Sequence, residues 1–101
     1  MNLAYSTRAE LDLLEIADYI SDDSVRGAFD AVDRIDAAVR RLRDLPGLGR
    51  TRDDIGRPDL RSIGVDDWLI LYSADDETVT IARIVHGARD LTTLLKRSKP
   101  R

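Results

Sequence analysis

Trp68-Leu69-Ile70-Leu71-Tyr72-Ser73-Ala74, then Asp75-Asp76-Glu77, then Thr78-Val79-Thr80-Ile81-Ala82-Arg83-Ile84-Val85-His86: this stretch decides the fold. Both runs are rich in β-branched and aromatic residues, and both are apolar on two faces along part of their length. That pattern predicts central strands of a sheet. The acidic triplet between them reads as a turn. Just upstream, Leu60 to Val65 reads as another strand and Asp66-Asp67 as a tight turn. Connections this short predict an antiparallel meander. Alternation places Trp68, Ile70 and Tyr72 on one face and Leu69 and Leu71 on the other. It also places Arg83 with Val79, Ile81 and Val85, and His86 on the opposite side.

Upstream of the meander the hydrophobic period changes. Thr7-Arg8-Ala9-Glu10 fits a capping box, in which the threonine takes an orphan amide and the glutamate reaches back. Behind it Ala9, Leu13, Ile16, Ala17 and Ile20 fall on one helical face, widened by Leu14, and the helix is expected to stop near Asp22. Ser24 is a plausible cap for a second helix. There Ala28, Val32, Ile35, Val39 and Leu42 form an amphipathic stripe that ends before Pro46-Gly47. The short link predicts an antiparallel hairpin, with Val32, Ile35 and Val39 packed on a sheet face. Asp44 to Asp59 reads as a long irregular loop, and Leu3-Ala4-Tyr5 as a short strand. Gly87 breaks the last strand, and Asp90 is positioned to cap a final helix from Leu91 to Lys96. The expected fold is α+β in two layers: an N-terminal strand and an antiparallel two-helix hairpin packed on an antiparallel sheet, β-α-α-β-β-β with a short C-terminal helix. Residues 1–101 are expected to form one domain.

Composition narrows the chemistry. The chain has no cysteine, which excludes disulfides and thiol catalysis, and one histidine, which excludes a multi-histidine metal centre. No apolar run approaches the roughly 20 residues of a membrane span, and no secretion signal is evident, so the expected compartment is the cytoplasm. The net charge is -3, but it is unevenly laid out. Nine acids and two bases lie between Glu10 and Asp36, whereas seven arginines and four acids lie between Arg40 and Arg61. The last six residues carry four bases and no acid. A largely acidic body is a poor general binder of phosphate backbone, so direct DNA binding by this chain alone is not expected. No phosphate-cradling glycine loop and no serine elbow is present, and the paired aspartates read as caps and turns. No cofactor or metal is expected. The more specific signals are Arg61 and Arg83 on strands, with His86 at a strand end. Arg83 inside a largely apolar strand needs a carboxylate, an edge or a site. The functional alternative is a basic pocket for phosphoryl charge with His86 as general acid or base.

The pieces Ala9 to Ile20, Leu45-Pro46-x-x-Gly49, Leu60-Arg61-Ser62, Trp68 to Tyr72 and Ile81 to Asp90 together resemble the RelE/ParE toxin superfamily of bacterial type II toxin–antitoxin systems, in particular its ParE branch. The resemblance runs from about Tyr5 to Leu95. It implies a toxin that inhibits DNA gyrase, blocks replication and serves in plasmid stabilisation. It also implies neutralisation by a ParD-like antitoxin in a hetero-oligomer. The alternative within the superfamily is a RelE-type, ribosome-dependent mRNA endoribonuclease, for which Arg61, Arg83 and His86 would be catalytic. The chain lacks the C-terminal tyrosine common among such nucleases, since its tyrosines are Tyr5, Tyr19 and Tyr72. Its His86-Gly87-Ala88-Arg89-Asp90 segment is similar to the ParE signature, which favours the gyrase reading and binding over catalysis. The target-binding surface is then expected at Arg61, Arg83, His86, Arg89, Lys96 and Arg97. An antitoxin tail is expected to lay a helix along the acidic hairpin, at Asp12, Asp18, Asp30 and Asp33, and to add a strand to the sheet edge.

Overall fold

The computed structural model describes residues 1–90 and Thr93. A first strand, β1 (Asn2–Tyr5), leads into α1 (Thr7–Ser21) and α2 (Val25–Asp44). A short strand β2 (Arg50–Arg52) and a 3-10 turn (Asp53–Ile55) follow. The meander is β3 (Arg57–Val65), β4 (Trp68–Ala74) and β5 (Thr78–His86). The expected architecture holds, and the differences lie in its connections.

The sheet is mixed, with order β1-β5-β4-β3-β2. The meander is antiparallel as its turns require, but β1 joins β5 in parallel. A chain that leaves β1 through a helical hairpin returns across the sheet, which permits a parallel neighbour. The expected loop from Asp44 to Asp59 is more ordered than its composition implies. Arg50 and Thr51 pair with Ser62 and Arg61, and Ile55 packs with Leu60 and Leu71 on the face away from the helices. That face is therefore partly covered, not free. Arg52 is buried beneath this segment, with its guanidinium on Asp54 (2.6 Å) and Ser62 (3.2 Å).

Both helices start at serine caps. Ser24 accepts the Gly27 amide, as expected. In α1 the cap is Ser6, one residue before the expected Thr7. The Ser6 hydroxyl accepts the Ala9 amide and donates to the Ala82 carbonyl on β5. Two adjacent hydroxyl residues are equivalent locally, and this long-range bond selects the first. The core lies between helices and sheet: Ile16, Ile35, Val39 and Leu42 pack on Ile70, Tyr72, Val79, Ile81 and Ile84, with Trp68 at the border. Val32 falls outside this core and lines the outer side of the hairpin.

Tyr5 links β1 to α2 by donating to Asp36 at 3.3 Å. Burial, then the Asp36 charge, pushes its phenol up to about 12. The folded state therefore holds the neutral phenol more tightly than the unfolded state does. This contribution is complete below the ordinary tyrosine value near 10 and is lost as the pH rises from there through about 12. Urea midpoints should fall across that window in the wild type and fall less in Tyr5→Phe. Equal alkaline slopes for the two proteins would refute the assignment.

Candidate functional site: a cleft of paired charges and an apolar groove

A cleft of about 840 Å³ opens where the first half of the hairpin meets the end of β5 and the β3–β4 turn. Its floor is Asp12, which is buried on α1. One Asp12 oxygen accepts Arg83 Nε at 2.8 Å and the Ile84 amide at 2.9 Å, and the other accepts Arg83 Nη2 at 3.2 Å. Arg8 stands 3.2 Å from the same carboxylate. The Asp12 hydrogen bond, followed by its charge, raises the Arg83 guanidinium above its ordinary value. This pair pins α1 to β5.

The alternation expected for β5 breaks here. The ladder pairs Leu71 with Arg83 but Tyr72 with Ile81, so Ala82 is an extra residue, a β-bulge. The bulge lets Ile81 and Ile84 both enter the helix-side core. Arg83 and His86 both line the cleft, although they lie three residues apart on the regular stretch beyond the bulge, opposite Leu71 and Trp68.

His86 packs edge-on against Trp68, with ring centroids 5.5 Å apart. Residues 87–90 are helical, so the final helical turn begins earlier than the expected Leu91. His86 Nδ1 accepts the Arg89 amide at 3.2 Å, and Asp90 accepts the His86 amide at 2.9 Å. This reciprocal arrangement works like a capping box, with histidine in the serine role. Asp90 thus points back to His86 from within this helical turn. Arg89 bonded to Asp90 at 3.1 Å, together with the His86 amide, holds that carboxyl below its ordinary value. On the opposite wall Arg34 bonds Asp66 at 2.7 Å, at a turn where Asp66 is left-handed, with φ 53°.

Every arginine lining the cleft therefore has a carboxylate partner: Arg8, Arg34, Arg83 and Arg89. Among the described residues no cluster of histidines and acids could hold a metal ion, and no helix is long and apolar enough to cross a membrane.

Arg61 sits elsewhere. It donates to the Gly49 carbonyl at 2.7 Å. Tyr72 completes the arrangement: its hydroxyl accepts the Gly49 amide and donates to the Pro46 carbonyl, both at 2.8 Å. A Cβ on Gly49 would lie 2.7 Å from the Ser62 carbonyl and 2.8 Å from the Tyr72 ring, so only glycine fits. The Leu45-Pro46-x-x-Gly49 motif is thus a turn braced from inside by Tyr72 and Arg61.

The second concavity is apolar. On the outer side of the hairpin, Leu14, Ala17, Val25, Ala28, Phe29 and Val32 form a groove of about 410 Å³, with Asp18 at its rim. Leu14, Val25 and Phe29 are 67%, 63% and 68% exposed. Asp30 and Asp33 are exposed on the same helix. Of the four aspartates expected to meet an antitoxin, three stand open to solvent, and Asp12 is buried in its ion pair. Of the groove's apolar residues, Leu14, Ala17, Ala28 and Val32 belong to the stripes that the sequence assigns to the core, and Val25 and Phe29 lie outside those stripes. The available signal is Val25 and Phe29 on α2, which with Val32 form a second stripe beside the buried Ala28, Ile35 and Val39. Lys96 and Arg97, and the expected helix from Leu91 to Lys96, lie outside the described residues.

The chain is thus a helical hairpin on one face of a mixed five-stranded sheet, joined by a braced turn and, at the end of β5, a His-Gly-Ala-Arg-Asp cap. Residues 3–91 match the family described as the ParE toxin of the type II toxin–antitoxin system parDE. The chain is 37% identical over 78 residues to Toxin ParE3 of Caulobacter vibrioides, covering 77% of each sequence. Its fold superposes on a solved chain from the chromosomal ParDE system of P. aeruginosa with a TM-score of 0.72. That match has 24% identity and covers 85% of this chain and 95% of the other. The chain belongs to the ParE toxin family.

Proposed function

We propose that this toxin stops growth by binding DNA gyrase and blocking replication in the cytoplasm, without catalysis of its own. In this reading a ParD-like antitoxin holds it inactive in a hetero-oligomer. The observation that carries the choice is the charge pairing in the cleft. A nuclease of the RelE kind needs unneutralised cations and a free acid–base group at the scissile phosphate. Here Arg83 is bound by Asp12 and Arg89 by Asp90, and Arg61 lies outside the cleft, on the Gly49 carbonyl. The antitoxin reading is supported by the exposed groove between α1 and α2. Contiguous apolar surface of this kind marks an interaction site, and its shape suits an amphipathic helix.

His86→Gln separates the two activities, since glutamine can keep the amide-accepting role but cannot shuttle protons. Growth arrest and inhibition of supercoiling by purified gyrase should be retained within a few-fold. A nuclease would lose roughly 10²–10⁴-fold. Cut transcripts in a translation extract, with supercoiling intact at excess wild-type toxin, would replace the gyrase reading with the endoribonuclease one.

A further inference from the structure

The cations expected at the end of β5 are occupied by partners of their own, which raises the question of where this arginine-rich chain offers free positive charge. Among the described residues, Arg41 and Arg43 on the last turn of α2 are exposed and bear no ion pair. Arg50, just across the turn, is 71% exposed, and its contact to Asp54 is a loose 3.7 Å. Between them lie Leu45 and Leu48, large apolar side chains that are 53% and 45% exposed.

Cations on the last turn of a helix are favoured by its dipole, which accounts for Arg41 and Arg43 alone. It does not account for two leucines held out to water among them. Nor are those leucines on a slack loop. The Leu48 amide bonds the Leu45 carbonyl at 3.0 Å, and the Leu45 amide bonds Arg41 at 2.9 Å. Beneath them run the Tyr72 and Arg61 bonds to Pro46 and Gly49. Side chains presented from a fixed backbone lose little entropy on binding, which is the mark of a preorganised contact surface. An apolar centre ringed by arginine is also the composition of an interface core and rim.

We propose that the braced turn between α2 and β2, with Leu45 and Leu48 at its centre and Arg41, Arg43 and Arg50 around them, is the surface by which this toxin engages its target, and that it docks on an acidic protein surface bearing an apolar pocket. The proposal rests on the reading of this chain as a toxin that acts by binding. Charge complementarity selects the acidic partner, and the exposed leucines select protein over a phosphate backbone. The surface is distinct from the groove of Leu14, Val25 and Phe29, so antitoxin docking and target docking use separate side chains.

The test expresses three proteins in cells with and without a ParD-like antitoxin: wild type, Arg41→Glu with Arg43→Glu, and Leu45→Ser with Leu48→Ser. Fold is monitored by thermal melting, and antitoxin binding by co-purification. Both variants should stay folded and bind antitoxin, yet need at least tenfold more toxin to arrest growth and to inhibit gyrase in vitro. Should glutamate disturb the helix end, Arg41→Gln with Arg43→Gln is read instead, with the same direction expected. Wild-type arrest in either folded variant overturns the proposal. Loss in the arginine variant alone also overturns it, since that pattern belongs to a phosphate backbone. A wild-type chain that arrests no growth overturns it as well. If wild type arrests growth but leaves gyrase untouched, the gyrase reading fails while growth arrest still judges this surface.

Discussion

Asp12→Ala should lower stability by about 3 kcal/mol, read as a drop in urea midpoint at an unchanged slope. Asp12 is 4% exposed and receives three hydrogen bonds from Arg83 and Ile84, with Arg8 also in range. Removing it leaves the Ile84 amide buried without a partner and the Arg83 cation half-desolvated. Breaking a buried pair from one side costs about 3–5 kcal/mol. The lower end applies because the Arg83 side chain is 35% exposed and can turn toward water. Asp12→Asn should cost less, since an amide oxygen still accepts the Ile84 amide. Replacing both partners by apolar residues, Asp12→Leu with Arg83→Met, should recover much of the loss, because no charge is then stranded. A loss under 1 kcal/mol in Asp12→Ala would mean that the pair does not pin α1 to β5.

That pair also marks how far the sequence could be read. Arg83 inside an apolar strand signals a need for a carboxylate, and sixteen aspartates offer candidates. Choosing Asp12 requires knowing that α1 crosses the end of β5, a contact 71 residues apart in the chain. The meander and the core stripes of both helices are legible because period and turn chemistry are local. Ile35 and Val39 on one side, and Ile70 and Tyr72 on the other, meet as their spacing implies.

What escapes is set by tertiary contact. The parallel placement of β1 depends on where the hairpin returns the chain. The choice of Ser6 over Thr7 depends on the Ala82 carbonyl. The bulge at Ala82 shifts the phase of β5, and no local propensity announces it. Its consequence reaches the core, since Ile81 and Ile84, three residues apart, share the helix-side core only because of that extra residue. The braced turn is an intermediate case. Pro46 and Gly49 are visible as turn residues, but the hydroxyl and guanidinium that lock them come from Tyr72 and Arg61, on strands the turn precedes.

Phe29→Asp should weaken the antitoxin complex by at least thirtyfold while leaving the isolated toxin as stable as wild type. Phe29 is 68% exposed in the free chain, so it contributes little to folding, and a polar replacement relieves apolar surface. In the complex the same ring would be an anchor in the groove it lines with Leu14 and Val25. Truncating aromatic anchors of this kind costs 2 kcal/mol or more, and about 1.4 kcal/mol is a factor of ten in affinity. Asp33→Ala should behave differently, because an exposed rim charge affects association rate and salt dependence more than final affinity, so a change below tenfold is expected. Titration calorimetry of the two variants against the antitoxin, at low and moderate salt, separates the contributions. Wild-type affinity in Phe29→Asp would move the antitoxin off this groove. A loss in Asp33→Ala exceeding that in Phe29→Asp would make charge, not apolar burial, the determinant of the complex.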